Sequence, residues 1–201
     1  MASDALDTNV IQACLAGNVQ RYGVLVDRYS ARIINLAYMM IGDRHDAEDI
    51  AQEAFVRAYR GLPKFQRKAK FSSWLYQITL NLCKDYLKAK SRHARNIDDE
   101  HLESLDAGPR DEGPRIILEE ELSEKMREVI KTLPYVYREA FVLRHLDGRD
   151  YDEIAEMTSI PADTIRVRAY RAREMVREKM APAVDTFWRE KAAKEKVRSR
   201  D

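Results

Sequence analysis

The 201-residue sequence predicts an all-α fold of two small helical domains joined by an acidic, flexible linker. Three observations carry that prediction. Between Tyr22 and Met40 the apolar residues Tyr22, Leu25, Val26, Tyr29, Ile33, Leu36, Ala37 and Met40 step at threes and fours, the period of a helix with one buried face. Seven Gly and six Pro are too few for the tight turns of an all-β chain. Residues 96–115 are rich in acids, hold Gly108-Pro109 and Gly113-Pro114, and carry little apolar content, which is linker composition.

Each element follows from local signals. Thr8 or Asn9 is placed to cap a short first helix that ends near Gly17. A long helix follows from about Val19 to Ile41, and Gly42 stops it. Asp46 is placed to cap the third helix, with Asp49 three residues on. This helix buries Ile50, Ala54 and Ala58 and ends at Gly61-Leu62-Pro63. A basic loop spans Lys64 to Lys70. The fourth helix starts near Ser72 or Ser73 and runs to about Lys90, with Leu75, Ile78, Leu82 and Tyr86 as its core stripe. Beyond the linker, one helix covers about Ile116 to Leu133, and Pro134 opens another to about Leu146. Asp147-Gly148 makes a turn. Shorter helices cover Tyr151 to Met157 and Ala162 to about Met180. The expected divisions are therefore 8–95, a linker at 96–115, 116–180, and a basic C-terminal extension at 181–201.

The net charge of +1 hides two blocks of opposite sign. From Lys64 to Arg95 nine Lys/Arg face one acid, giving +8; from Asn96 to Glu124 eleven acids face two Arg, giving −9. Near-neutrality therefore does not exclude a polyanionic partner. The two Cys, at 14 and 83, form no CxxC, which speaks against a disulfide framework or a cysteine zinc site. The start, MASDALD, lacks the basic-then-apolar pattern of a signal peptide. The longest apolar run, Ile33 to Ile41, is broken by Asn35 and falls far short of the ~20 residues that span a bilayer. The expectation is a cytoplasmic chain without membrane insertion. No nucleophile elbow, P-loop or HExxH occurs, so no enzyme activity, cofactor or metal is expected.

The second half holds a helix-turn-helix. Tyr151 to Met157 turns Ile154 and Ala155 inward, Thr158-Ser159-Ile160 makes the turn, and Pro161 opens the next helix. At 100° per residue, Ile165, Ala169, Ala172 and Val176 share one buried arc, while Val167, Tyr170, Arg171 and Glu174 point away. Thr164, Arg166, Arg168, Arg173 and Arg177 flank them. An apolar back, a mixed front and arginine edges suit a DNA major groove, where the front reads bases and the edges hold phosphates. A solvated, Arg-rich surface helix is the plainer alternative on charge alone.

The first half offers another nucleic-acid surface. On the fourth helix Trp74, Gln77, Asn81, Lys84 and Lys88 lie off the core stripe: an aromatic, then amides, then lysines. The preceding loop adds Lys64, Phe65, Gln66, Arg67, Lys68, Lys70 and Phe71. Aromatics interleaved with cations can stack an extruded base and hold its flanking phosphates. The third helix differs, with Asp46, Asp49, Gln52 and Glu53 along one edge. They suit metal ligation, acid–base work or docking of a basic protein surface, and metal is disfavoured because no His falls in register.

Asp46-Ala-Glu-Asp-Ile-Ala-Gln-Glu-Ala-Phe55, Phe71-Ser-Ser-Trp-Leu-Tyr76, the acidic linker, and Tyr151-Asp-Glu-Ile-Ala155 followed by residues 164–174 together resemble a bacterial sigma factor of the extracytoplasmic-function (ECF) class of the sigma-70 family. The resemblance spans roughly residues 8–180. It implies a transcription initiation factor that binds core RNA polymerase, recognises promoters and starts DNA opening. It assigns Asp49, Gln52 and Glu53 to the β′ clamp helices, with Asp46 on the same edge. It assigns residues 64–71 to capture of a flipped −10 base, and Trp74, Asn81, Lys84 and Lys88 to the single strand of that element. The helix 162–178 becomes the −35 duplex reader, with Arg166, Val167, Tyr170 and Arg171 nearest bases. Residues 116–146 would pack on the β flap, and an anti-sigma factor is an expected partner. The extension 181–201, with Phe187, Trp188 and six Lys/Arg, runs past the usual end of the family. A stand-alone helix-turn-helix regulator explains the second half but leaves the acidic edge and aromatic strip without a task.

Overall fold

The computed structural model describes residues 2–65, 70–96 and 114–198, with side chains over 5–65, 70–92, 122–186 and at 189. Eight α-helices and no strand occur among the described residues: α1 (Ala2–Leu15), α2 (Tyr22–Ile41), α3 (Arg44–Gly61), α4 (Phe71–Asn96), α5 (Pro114–Lys131), α6 (Tyr135–Phe141), α7 (Tyr151–Thr158) and α8 (Ala162–Arg198). The expected linker and the loop residues Gln66, Arg67 and Lys68 lie outside the described residues, apart from linker positions 96, 114 and 115.

Helix α1 starts well before Thr8 or Asn9, so neither is its cap. It is fastened to α2 by Asp7, a buried carboxylate that accepts from Arg28 at 2.7 Å and from the Tyr29 hydroxyl at 2.5 Å. Val10, Ile11 and Cys14 pack beside it, and burial raises the Cys14 thiol pKa. In α2 the expected face is buried at Leu25, Tyr29, Ile33, Leu36, Ala37 and Met40. Gly42 ends it in the left-handed region at φ 85°, a conformation cheap only for glycine.

The cap of α3 is Asp43, not Asp46: its extended backbone lets its carboxylate accept from the Asp46 amide at 2.9 Å. Gly42 completes the reversal by itself, so the next helix begins almost at once. Replacing Asp43 with Ala should lower stability by about 1 kcal/mol in urea unfolding.

Helix α4 buries more than the expected stripe. Leu75 is in the core, but Ile78, Leu82 and Tyr86 are only half-buried, whereas Tyr76, Thr79, Leu80 and Cys83 are fully enclosed. The buried face is broad because the second half of the chain covers one flank. Burial pushes the Cys83 thiol up to about 12.

In the second half Pro134 is the residue before α6 rather than its first turn, and the helix continues as a π-helical turn at Val142–Leu146. Glu139 is a buried carboxylate of α6. Burial raises its pKa, offset in part by Lys84, a Tyr135 hydrogen bond and Arg168. Helix α8 does not end near Met180 but continues through Pro182 to Arg198, so the first part of the extension prolongs it. The Thr186 hydroxyl donates to the Pro182 carbonyl at 2.9 Å within this stretch.

The two halves are in contact. The α4 helix packs against α7, α2 against α5, and the buried apolar residues of both form one cluster. The guanidinium of Arg138 donates to the Met40 carbonyl at the end of α2, to the Lys131 carbonyl at the end of α5 and to the Leu133 carbonyl just beyond it. One cation thereby satisfies the terminal carbonyls of two helices. The aliphatic chain of Lys131 lies so close over Gly42 that a Cβ there would meet its Cε at 2.6 Å.

Candidate nucleic-acid interface

The helix-turn-helix is built from α7 and α8. Asp150 caps α7 by accepting from the Glu153 amide at 2.7 Å, and Glu153 accepts in return from the Asp150 amide at 3.4 Å. Ser159 turns the chain at φ 58°, the left-handed position that a tight reversal between two helices needs. Ile154 and Met157 are buried against α8, while Ala155 is half-buried.

On α8 the stripe Ile165, Ala169, Ala172 and Val176 is buried against α5, α6 and α7. Two alanines without exposed surface let these helices approach closely. Opposite them, Val167 is 51% and Tyr170 60% exposed, a high exposure for large apolar groups. Arg171 and Thr164 are exposed beside them. Arg166 pairs with Asp163 at 2.9 Å and lies over the Tyr151 ring; Arg173 lies over the Tyr170 ring at 5.8 Å. Glu174, expected on the free front, is half-buried and held by Arg177 at 2.5 Å. Arg168 is half-buried, with one terminal guanidinium nitrogen enclosed and without a hydrogen-bond partner. An open cleft of about 500 Å³ lies between Val136 and Tyr137 of α6 and Thr164, Val167, Arg168 and Arg171 of α8.

In the first half, Phe65 stacks on Trp74 with centroids 4.8 Å apart and planes 27° apart. Trp74 rests on the backbone of Gly61, where a Cβ would meet its ring at 2.9 Å. Phe71 was expected at the DNA surface but is only 3% exposed, packed under Tyr29, Phe65 and Trp74. It supports the aromatic corner from below and cannot offer its own face to a base. Asn81, Lys84 and Lys88 project along one exposed side of α4 beyond it, and Lys64 is exposed at the loop entrance. Lys70 and Gln77 instead reach the second half: Lys70 pairs with Glu153 at 3.3 Å, and the Gln77 amide donates to the Ser159 hydroxyl at 3.1 Å.

On the acidic edge of α3, Asp49 and Gln52 are exposed. Glu53 pairs with Arg57 at 2.7 Å along the same helix. The Asp46 carboxylate accepts a short hydrogen bond from the Tyr86 hydroxyl, which ties it to α4. No cluster of three or more metal-ligating side chains occurs among the described residues, and no described helix is long and apolar enough to cross a membrane.

Sequence reasoning missed the groups that join the halves. Tyr76, with no exposed surface, donates to Asp147 at 3.2 Å, and Arg149 pairs with Asp147 at 2.6 Å while lying over the Tyr76 ring at 4.8 Å. Burial by itself would lower the Arg149 pKa, but its bonds to Asp147 and Tyr76 outweigh that and hold it above its ordinary value. The one hint in the sequence was a tyrosine beside, rather than within, the expected core stripe of α4.

Two family models match the chain: Sigma-70 region 2 over residues 25–93 and Sigma-70 region 4 over residues 123–176. The ECF RNA polymerase sigma-E factor of Haemophilus influenzae is 34% identical over 188 residues, 90% of this chain and 99% of that protein. The RNA polymerase sigma-H factor of Pseudomonas aeruginosa is 32% identical over 188 residues, 90% of this chain and 97% of its own length. The sigma factor RpoE of Bartonella quintana, solved in complex with the anti-sigma factor NepR, shares the fold with a TM-score of 0.66 at 20% identity, covering 80% of this chain and 96% of that one. CnrH, solved in complex with the cytosolic domain of CnrY, gives a TM-score of 0.62 at 22% identity, covering 90% and 98%. An all-helical chain that carries both sigma regions in order, at this identity over nine-tenths of its length, belongs to the ECF class of sigma-70 family sigma factors and is an alternative sigma factor.

Proposed function

We propose that this chain binds core RNA polymerase, directs it to promoters with −35 and −10 elements, and promotes local melting there. The observation that carries the reading is the two-sidedness of α8: Ile165, Ala169 and Ala172 have no exposed surface, while Val167, Tyr170 and Arg171 stand in solvent on the opposite side. A helix held so firmly from behind presents its front as a rigid probe for the −35 major groove. Arg166 joins Val167, Tyr170 and Arg171 nearest the bases, and Thr164, Arg168 and Arg173 flank that front as phosphate contacts. The aromatic corner of Phe65 and Trp74, with Lys64, Asn81, Lys84 and Lys88, would take the unpaired −10 strand. Stacking an extruded base offsets part of an unstacking cost of a few kcal/mol. The loop positions Gln66, Arg67 and Lys68 belong to this proposal by sequence alone.

Asp49, Gln52 and Glu53 form the docking edge for the β′ clamp helices, and residues 116–146 the face toward the β flap. Tethering to polymerase raises the effective concentration of both DNA-reading surfaces, so neither needs to bind strongly alone. A working place in the cytoplasm follows from that partner. One structural neighbour is a sigma factor solved with an anti-sigma factor, and we extend that kind of partner to this chain.

Run-off transcription tests the reading. Purified core polymerase plus this chain should initiate on specific fragments of a genomic promoter library, and core alone should not. Absence of initiation on every fragment would refute it. Within that assay, Arg171→Ala should weaken upstream recognition by about 1–3 kcal/mol if the guanidinium contacts a base. An unchanged −35 preference would move the reading face elsewhere.

A further inference from the structure

Between Ala162 and Met180, α8 carries Arg166, Arg168, Arg171, Arg173 and Arg177, and their charges are not equally engaged. Arg166 is paired with Asp163, and Arg173 and Arg177 are paired with Glu174. Arg168 and Arg171 have no ion pair among the described residues, and both line the cleft between α6 and α8. One terminal nitrogen of Arg168 is enclosed and lacks a hydrogen-bond partner. Glu139, buried in α6, acts on Arg168 only through space. A guanidinium left in this state is costly until an outside acceptor engages it.

The cleft combines two kinds of lining. From α8, Arg168, Arg171 and Thr164 supply two cations and a hydroxyl. From α6, Val136 and Tyr137 supply an aliphatic and aromatic wall, and Val167 adds to it from α8. Val136 is 40% exposed, so this wall is not taken up by the protein's own core. Asp163 also lines the cleft, but its carboxylate is engaged by Arg166 at 2.9 Å. The volume of about 500 Å³ lies in the range of clefts that hold small organic ligands. A planar guanidinium matches two phosphate oxygens at once, and a second one matches the acceptor edge of guanine.

We propose that the cleft between α6 and α8 is a seat for one nucleotide, in which Arg168 holds the phosphate, Thr164 donates its hydroxyl to it, Val136, Tyr137 and Val167 cover the sugar, and Arg171 reaches the base. The nucleotide comes either free in solution or as one unit of a DNA backbone; both present the same chemistry. Only the DNA source rests on the −35 reading, and the seat itself does not. The seat brings α6, which lies outside the helix-turn-helix, into contact with the ligand. It also ranks the arginines of α8. Arg166, Arg173 and Arg177 must leave a carboxylate before they take an anion, whereas Arg168 and Arg171 need not.

Titration of the isotope-labelled full chain with deoxyguanosine monophosphate, followed by amide NMR at constant ionic strength, tests the seat. Shifts are expected at residues 136–137 and 164–171, with a dissociation constant on the order of a millimolar. Deoxyguanosine, which lacks the phosphate, should shift nothing there at the same concentration. Arg168→Gln should weaken nucleotide binding roughly tenfold, and Arg171→Gln and Tyr137→Ala by less. Arg32→Gln removes an exposed cation on α2 and should leave binding unchanged. Thermal melting shows which variants are folded, and the exposed Arg171 carries the comparison should the half-buried Arg168 prove necessary for folding. No shift at the cleft, or equal binding by wild type and both glutamine variants, overturns the seat. The source is read on a duplex recovered by run-off selection, with single upstream phosphates replaced in turn by uncharged methylphosphonates. A position that weakens wild type but not Arg168→Gln assigns the seat to the DNA backbone; nucleotide binding with no such position assigns it to a free nucleotide. If no duplex is recovered, the promoter reading falls, and the nucleotide titration still judges the seat.

Discussion

Replacing Asp49 and Glu53 together with lysine is expected to weaken capture of core polymerase by at least about 100-fold. Losing one partner of a charge pair that becomes buried and hydrogen-bonded in an interface costs about 2–5 kcal/mol, and a factor of 100 is about 2.7 kcal/mol. Reversal adds repulsion to that loss. The fold should survive, because Asp49 is exposed and the Glu53–Arg57 pair is a surface i,i+4 contact of small energetic weight. Asp46 is a poorer target for such a test. Its carboxylate is engaged by Tyr86, so its removal disturbs the α3–α4 packing as well as any docking contact. Pull-down with purified core polymerase, with circular dichroism melting as the control, reads the effect. Equal capture by wild type and double variant would take the docking role away from this edge.

Ile165→Ala is expected to destabilise the protein by about 2–5 kcal/mol, the cost of emptying a fully packed aliphatic site. Ile165 has no exposed surface and lies at the start of the buried side of α8. Val167→Ala, two residues on and facing solvent, should change stability by no more than about 0.5 kcal/mol yet weaken −35 duplex binding. Urea unfolding and duplex titration of both variants read the two faces of one helix independently. Comparable destabilisation by both would mean that α8 has no free front.

Much of the candidate site was legible in the sequence because helical periodicity is local. The positions of Ile165, Ala169, Ala172 and Val176 set the back of α8, and the front followed by angle alone. The same reasoning misjudged α4. An angular count locates one apolar arc, but Tyr76, Leu80 and Cys83 are enclosed by a second body whose arrival leaves no periodic signature. Phe71 failed for a related reason. A phenylalanine beside lysines reads equally well as a stacking platform or as a core residue, and only its neighbours Tyr29, Phe65 and Trp74 decide. The cap of α3 moved from Asp46 to Asp43 because the left-handed Gly42 makes the turn so short that the first acid after it is already in place.

The amino-acid order alone determined that this chain is helical, where most helices lie, which face of α8 is hidden, and which family the motifs resemble, since each depends on residues a few positions apart. Tertiary structure alone decided that the two halves close on one another through Tyr76, Asp147, Arg149 and Arg138, that Lys70 and Gln77 face protein, and that Phe71 is support. Those outcomes depend on which surfaces, far apart along the chain, lose their water together, and neither spacing nor composition encodes that.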